Sequence, residues 1–494
     1  MEAGRADDER LVLVRLSGEV STKARATRRA FSTRLAGNLR DALAAEGLSG
    51  RVERRYDRIL VWLDRPGGTA ALARVFGVQS LSPVTRRAAE KLDDVVDAGE
   101  ALFREAVADR RFAVRARRVG GGTAPDLRGR DVEVALGERL RPHAARVDLT
   151  NPEVVVGVEL YQGHAHFFSE RIPGPGGLPL GTESRAVALV SGGFDSAVAA
   201  WQLLRRGVAL DYVFCNLGGA THRLGTLRVM KVIADGWSYG TRPRLHCVDF
   251  AAVTHELQAA AEPRYWQVIL KRLMLRAAEQ VADRCGALAV VTGEAVGQVS
   301  SQTLQNLAVI SDATRLPILR PLVGHNKDEI IARARLLGTA PLSAAVDEYC
   351  ALVPRRPATQ ARLDVVREQE ARLDPATLAR AVAVREIVDL RAADPDESGL
   401  PELEIAEVPA GATLIDLRSR AEFASWHLPG TLQLDFGRAL AAFPSFARDR
   451  TYVLCCAFGL KSANLAERMQ GEGFRAFHFR GGTRALRRWA EGRA

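Results

Sequence analysis

Cysteine is scarce in this chain of 494 residues, standing only at 215, 247, 285, 350, 455 and 456. No two of these make a Cys-x-x-Cys pair, which argues against a zinc knuckle or a thioredoxin motif. Thiols this scattered also rule out a secreted disulfide framework, so any bridge is expected to be transient and catalytic. Long apolar runs are missing as well, and Met1 to Arg10 is charged, so neither a membrane span nor a signal peptide is predicted. The expected location is the cytoplasm. Lysine is sparse, at 23, 91, 231, 271, 327 and 461, and arginine supplies most of a net charge of +10. That balance favours a polyanionic partner, because the planar guanidinium suits phosphate. Arginine-rich codon usage also raises the total, so local crowding says more. Arg110, Arg111, Arg115, Arg117 and Arg118 fall within nine residues.

What is present is ordinary globular material, 47% hydrophobic and 26% charged, long enough for about three or four domains. No repeat or low-complexity tract stands out. Residues 1–65 read as a small α+β unit, with a strand at 11–16, a basic helix near 27–46 and strands near 51–55 and 59–63. Residues 66–172 predict a helix at 93–108, a basic strand at 112–118, a helix at 131–143 and strands at 154–160 and 164–169. Pro173 to Gly177 reads as a linker. From 178 to 391 apolar runs alternate with helical patterns, which predicts a doubly wound parallel sheet with ligands at the strand C-termini. Helix-rich sequence is expected to continue to about Val388. A stretch at 392–403 separates a last domain at 404–494.

Within the third segment, Ser191-Gly192-Gly193-Phe194-Asp195-Ser196 follows an apolar run and leads into a helical pattern. A buried strand, a glycine turn and a helix N-terminus together present backbone N–H groups to an anion. No lysine follows the glycines, so this is not a Walker loop. It resembles the pyrophosphate loop of the ATP pyrophosphatases, which cleave ATP between the α- and β-phosphates.

Three further stretches accompany it: TGEAVGQVSSQTLQNL (292–307), LRPLVGHNKDEI (319–330) and EYC (348–350). In this order the four motifs resemble the tRNA 4-thiouridine synthetase (tRNA sulfurtransferase) family. Phe112 to Arg118 and Val147 to Pro152 resemble a THUMP RNA-binding domain, preceded by that family's ferredoxin-like domain. An arginine-bearing strand can hold phosphates without reading bases. The five clustered arginines are the expected tRNA contacts.

The last domain resembles a rhodanese, on Asp416-Leu417-Arg418, Glu422-Phe423, His427-Leu428-Pro429-Gly430 and the loop from Cys456 to Ser462. A cysteine facing a ring of N–H groups at a helix start is suited to a persulfide anion. Cys455 competes for that role. The spacing from Cys to Gly to Ser, and the alternation of adjacent strand residues, select Cys456. Lys461 is the one cation in this loop.

The resemblance implies a multidomain α/β fold and a reaction. ATP with Mg²⁺ is expected at the 191–196 loop. Leu189, Val190, Ser191, Gly192, Gly193, Asp195, Ser196, Lys271, Gly293 and Gln302 are the expected nucleotide contacts, and Lys327 is expected to offset phosphate charge. AMP is placed on the C4 oxygen of a uridine near the tRNA elbow. A Cys456 persulfide then attacks, and Cys350 resolves the product, leaving a Cys350–Cys456 disulfide. The implied partners are tRNA, a cysteine desulfurase, a reductant for that disulfide and a second copy in a homodimer. Three other readings stand beside it: sulfur relay to the thiazole of thiamine, a tRNA-binding protein with an inactive nucleotide site, and a sulfurtransferase for small molecules.

Overall fold

The computed structural model of the chain describes residues 10–55, 57–120, 127–217, 219–346, 356–395, 403–457 and 459–491. Two compact units emerge. One runs to Glu183 and takes in 204–208 and 236–241; the other holds the rest.

The first unit contains β1 (Leu11–Leu16), β2 (Gly50–Arg54), β3 (Arg58–Leu63), β4 (Val78–Ala88), β5 (Arg111–Arg118), β6 (Arg146–Val147), β7 (Val154–Tyr161), β8 (His164–Phe168) and β9 (Ile172–Pro173). They make one nine-stranded sheet in the order β2-β3-β1-β4-β8-β7-β5-β6, with β9 on β4. Alternation divides β1 between two cores. Val12 and Val14 pack with Leu35, Leu39 and Leu43 of helix Arg25–Ala45, while Leu11 and Leu13 pack with Leu60 and Val84.

Strand β4 joins the two halves, pairing with β1 through Val84 and with β8 from Thr85 onward. The sequence reading placed no strand there. The structure accepts Pro83 opposite Val12, in a ladder that shifts register between Arg15 and Leu16. The expected linker at 173–177 is also pinned to β4: Gly174 and Gly176 donate N–H bonds to Gln79 and Val78 carbonyls. Unpaired strand edge, rather than solvent, is what this glycine-rich stretch meets.

In the second unit, β10 (Arg185–Leu189), β11 (Ala209–Asn216), β12 (Arg244–Asp249), β13 (Val290–Val291), β14 (Ile318–Leu319) and β15 (Glu386–Asp389) form a sheet in the order β14-β13-β10-β11-β12-β15. All pairs are parallel except β12 with β15. The helical expectation up to Val388 is therefore corrected at 386–389. Ile387 and Val388 suit a strand, and Glu386 is held there by Arg223 at 2.6 Å. The chain proceeds outward from β10 to β12 and returns on the other side at β13. The loops leaving β10 and β13 flank a crevice at that reversal.

A third sheet, wholly parallel, carries β16 (Glu404–Ile405), β17 (Thr413–Asp416), β18 (Leu432–Gln433), β19 (Thr451–Cys455) and β20 (Arg475–Phe479) in the order β16-β20-β19-β17-β18. No helix among the described residues is long and apolar enough to cross a membrane.

Candidate active site

The end of β10 enters the Ser191-Gly192-Gly193 turn, and helix Phe194–Arg205 begins immediately after it. Gly192 has φ of +77°, and a Cβ there would stand 3.0 Å from Thr226 Oγ1 and 3.2 Å from Val346 Cγ1. Both the turn and its packing therefore require glycine. Ser196 ties the turn together: its Oγ accepts from the Ser191 N–H at 3.4 Å and donates to the Gly193 carbonyl at 3.2 Å. Behind the turn, His222 Nε2 lies 3.2 Å from the Ser191 carbonyl. Burial lowers this imidazole's pKa to about 4, so at neutral pH it is uncharged and donates Nε2–H to that carbonyl.

From the other side of the crevice, the loop after β13 comes into direct contact with the helix start. A Cβ on Gly293 would lie 2.7 Å from the Asp195 carbonyl carbon and 2.9 Å from Ser196 N. Between these loops is a cavity of about 650 Å³, with an apolar wall that includes Leu270, Met274 and Ile310. The predicted nucleotide contacts all line it except Gly192, which shapes it from behind.

Two charged clusters flank the cavity. Lys327 Nζ donates to both Asp195 carboxylate oxygens at 2.9 Å, and Gln298 Nε2 reaches Asp195 Oδ2 at 3.1 Å. Lys327 opens helix Lys327–Leu337 behind an Asn326 capping box. Lys271 Nζ bonds Glu294 Oε1 at 3.0 Å, and Arg320 Nε bonds Glu294 Oε2 at 2.8 Å. Burial opposes ionisation of Glu294, but Lys271 and Arg320 outweigh it and hold the carboxyl below its ordinary range. Glu294, Arg320, Gln298 and His222 were not among the predicted site residues. The first three stand inside the quoted motifs, so the signal was present; nothing in the sequence marks His222. Among the described residues no three His, Cys, Asp or Glu side chains gather as a metal cage.

The third sheet positions the predicted sulfur carrier. Cys456 follows β19, and helix Leu460–Gly471 begins four residues later behind Gly459, whose φ is +80°. The Ser462 N–H donates to Cys456 Sγ at 3.4 Å, and Ser462 Oγ lies 3.4 Å from the same sulfur. Cys455 points the other way, into a core with Val453, Phe479 and Leu486, and burial raises its thiol pKa far above the ordinary value. Cys350 lies outside the described residues.

The arginine cluster divides by partner. Arg111 binds Glu153 at 3.1 Å, and Arg117 binds Glu159 at 2.6 Å. Arg115 donates to the Leu149 carbonyl, and Arg110, Arg115, Arg117 and Arg118 are all exposed.

Comparison with known proteins agrees along the whole chain. A family model described as thiamine biosynthesis protein (ThiI) matches residues 181–374, and one for the ThiI ferredoxin-like domain matches 11–82. THUMP and rhodanese-like models match 89–170 and 403–488. A tRNA sulfurtransferase of Pyrobaculum aerophilum is 38% identical, covering 95% of this chain and 96% of its own. One from Thermoplasma acidophilum is 34% identical over 95% and 94%. Among solved structures, a 4-thiouridine synthetase–RNA complex with bound ATP superposes with a TM-score of 0.67 at 29% identity. It covers 77% of this chain and 99% of its own.

Proposed function

The chain belongs to the ThiI family of tRNA sulfurtransferases, and from that premise we propose that it forms 4-thiouridine in tRNA by coupling ATP cleavage to persulfide transfer. One observation carries this reading. A single compact unit holds both a phosphate-binding turn at 191–196 and a thiol, Cys456, set at a helix start.

The chemistry explains why both are needed. The uridine C4 oxygen cannot leave as oxide, so it first attacks the α-phosphate of ATP, and pyrophosphate departs. Backbone N–H groups of the turn and the helix start hold the phosphates. Asp195 is the carboxylate that would hold Mg²⁺ beside those phosphates. When bound, Mg²⁺ supplies charge neutralisation at the phosphates. Lys327, already on Asp195, is within reach to offset their charge. Val190 N–H is committed to the Val213 carbonyl, so its own carbonyl is the backbone group it offers to adenine.

A cysteine desulfurase loads sulfur on Cys456. The terminal persulfide sulfur attacks C4, and AMP leaves with the bonding pair. Cys350 thiolate then attacks Cys456 Sγ, the sulfur–sulfur bond breaks, and thiouridine departs as its thiolate. Two electrons from a reductant return the Cys350–Cys456 disulfide to thiols. The arginines at 110–118 serve as phosphate contacts for tRNA. Thionucleoside analysis of tRNA from cells whose only copy carries Cys456→Ala tests the scheme. Loss of 4-thiouridine is expected, and an unchanged amount refutes the relay.

The matched thiamine-biosynthesis description favours a second role in supplying thiazole sulfur. Thiazole synthesis lost with Cys456→Ala but kept with Asp195→Ala would separate the two routes.

A further inference from the structure

Helix Gly219–Trp237 begins just past β11, beside the phosphate-binding turn, and its first N–H groups are taken by a side chain of the rhodanese-like domain. Ala220 N–H donates to Glu467 Oε1 at 3.0 Å, and Thr221 N–H donates to Glu467 Oε2 at 3.3 Å. The Thr221 hydroxyl donates to the same Oε2. Gly219 makes room for this approach: a Cβ there would come within 2.5 Å of Glu467 Oε1. A carboxylate at this end of a helix meets both unsatisfied N–H groups and the positive dipole.

The polar contact has an apolar companion. Leu224, one turn into the same helix, belongs to the buried cluster that contains Cys456, Leu460 and Ala463. Val346 packs on that cluster and also lies 3.2 Å from the Cβ position of Gly192 and 2.8 Å from that of Gly225. One side chain thus touches the phosphate turn and the sulfur-carrying core together. Ser462, which cradles Cys456, is on the same helix as Glu467 and five residues before it, about 7.5 Å of helical rise. Fixing Glu467 therefore fixes the end of the rod that holds the thiol.

We propose that Glu467 is a positioning residue, a latch that docks the sulfur-carrying domain on the nucleotide-activating domain so that the Cys456 persulfide is delivered at the crevice. The inference rests on the tRNA-thiolation reading. It treats this contact as the transfer geometry, whose worth is the effective concentration of sulfur at C4.

The test uses full-length protein with Cys456 preloaded with labelled sulfur, comparing the native chain with Glu467→Ala in a single turnover on tRNA and ATP. The variant is expected to load sulfur and form AMP at the native rate, yet to transfer sulfur at least about tenfold more slowly. Free sulfide, which attacks the adenylated C4 without any carrier, is expected to restore equal rates. Hydrogen exchange at the Ala220 and Thr221 amides is expected to accelerate in the variant. Equal transfer from the persulfide, a defect that persists with sulfide, or unchanged exchange would each overturn the latch. Failure of both proteins to thiolate tRNA even with sulfide would overturn the functional reading on which it rests.

Discussion

Glu294 holds two cations at once, Lys271 on one oxygen and Arg320 on the other, and only Lys271 lines the cavity. The carboxylate therefore sets where the Lys271 ammonium stands at the cavity wall. In Glu294→Gln that charge-assisted bond is lost, at a cost of about 1.5–3 kcal/mol shared between folding and ligand. We expect ATP to bind roughly tenfold more weakly, measured by calorimetry on the folded variant. Unchanged ATP affinity would show that Lys271 is placed by other forces. At this scale much was legible: Asp195, Gly293 and Lys327 stand in the quoted motifs, Lys271 was expected from the resemblance, and the structure lines one cavity with Asp195, Lys271 and Gly293 and sets Lys327 on Asp195. Glu294 was not singled out within its motif, and its two cations come from residues distant in the chain.

At the scale of elements, the crevice depends on one loop meeting one helix with no side chain between them. The space at Gly293 is closed by Asp195 and Ser196 main chain, which no rotamer change can clear. Gly293→Ala should therefore push the β13 loop off the helix start, with a stability cost of about 1–3 kcal/mol. Loss of ATP-dependent AMP formation should exceed what the fall in Tm explains. A variant that melts lower but turns over ATP normally would disprove the close-approach argument. The strands around this loop are short and their sequence is weakly patterned. β13 and β14 span two residues each. Parallel neighbours, not local propensity, determine where such strands begin and end.

Across the whole molecule, the first unit is joined through a buried charge cluster that no motif announced. Glu159 on β7 receives Arg15 of β1 at 2.6 Å, Arg58 of β3 at 2.8 Å and Arg117 of β5 at 2.6 Å. Burial favours the protonated carboxyl, yet Arg58, Arg15 and Arg117 prevail and lower its pKa from 4.5 to about 2. Because the folded value is depressed, this contribution is complete above 4.5 and is lost as pH falls through about 2. It is worth at most about 3 kcal/mol, since burial also depresses the Arg15 guanidinium and takes back part of the gain. Glu159→Gln is expected to lower Tm at pH 7 and to flatten the acid limb of stability between pH 5 and 2. An acid limb identical to the native one would remove Glu159 as its source. The same cluster gives Arg117 a partner inside the fold, which composition could not distinguish from an open phosphate contact.

The glycine turn between a strand and a helix, and the opposite facing of Cys455 and Cys456, were legible in sequence alone, because each rests on local rules. Alternation sends adjacent strand residues to opposite faces, and glycine is demanded where backbone must turn or approach. What only tertiary structure decided was which distant groups meet: the continuous sheet through β4, the Glu159 cluster, the Glu294 bridge and the carboxylate of Glu467 on a helix start. Those pairings join residues far apart in the chain, and their energies come from burial and charge that exist only once the elements have packed.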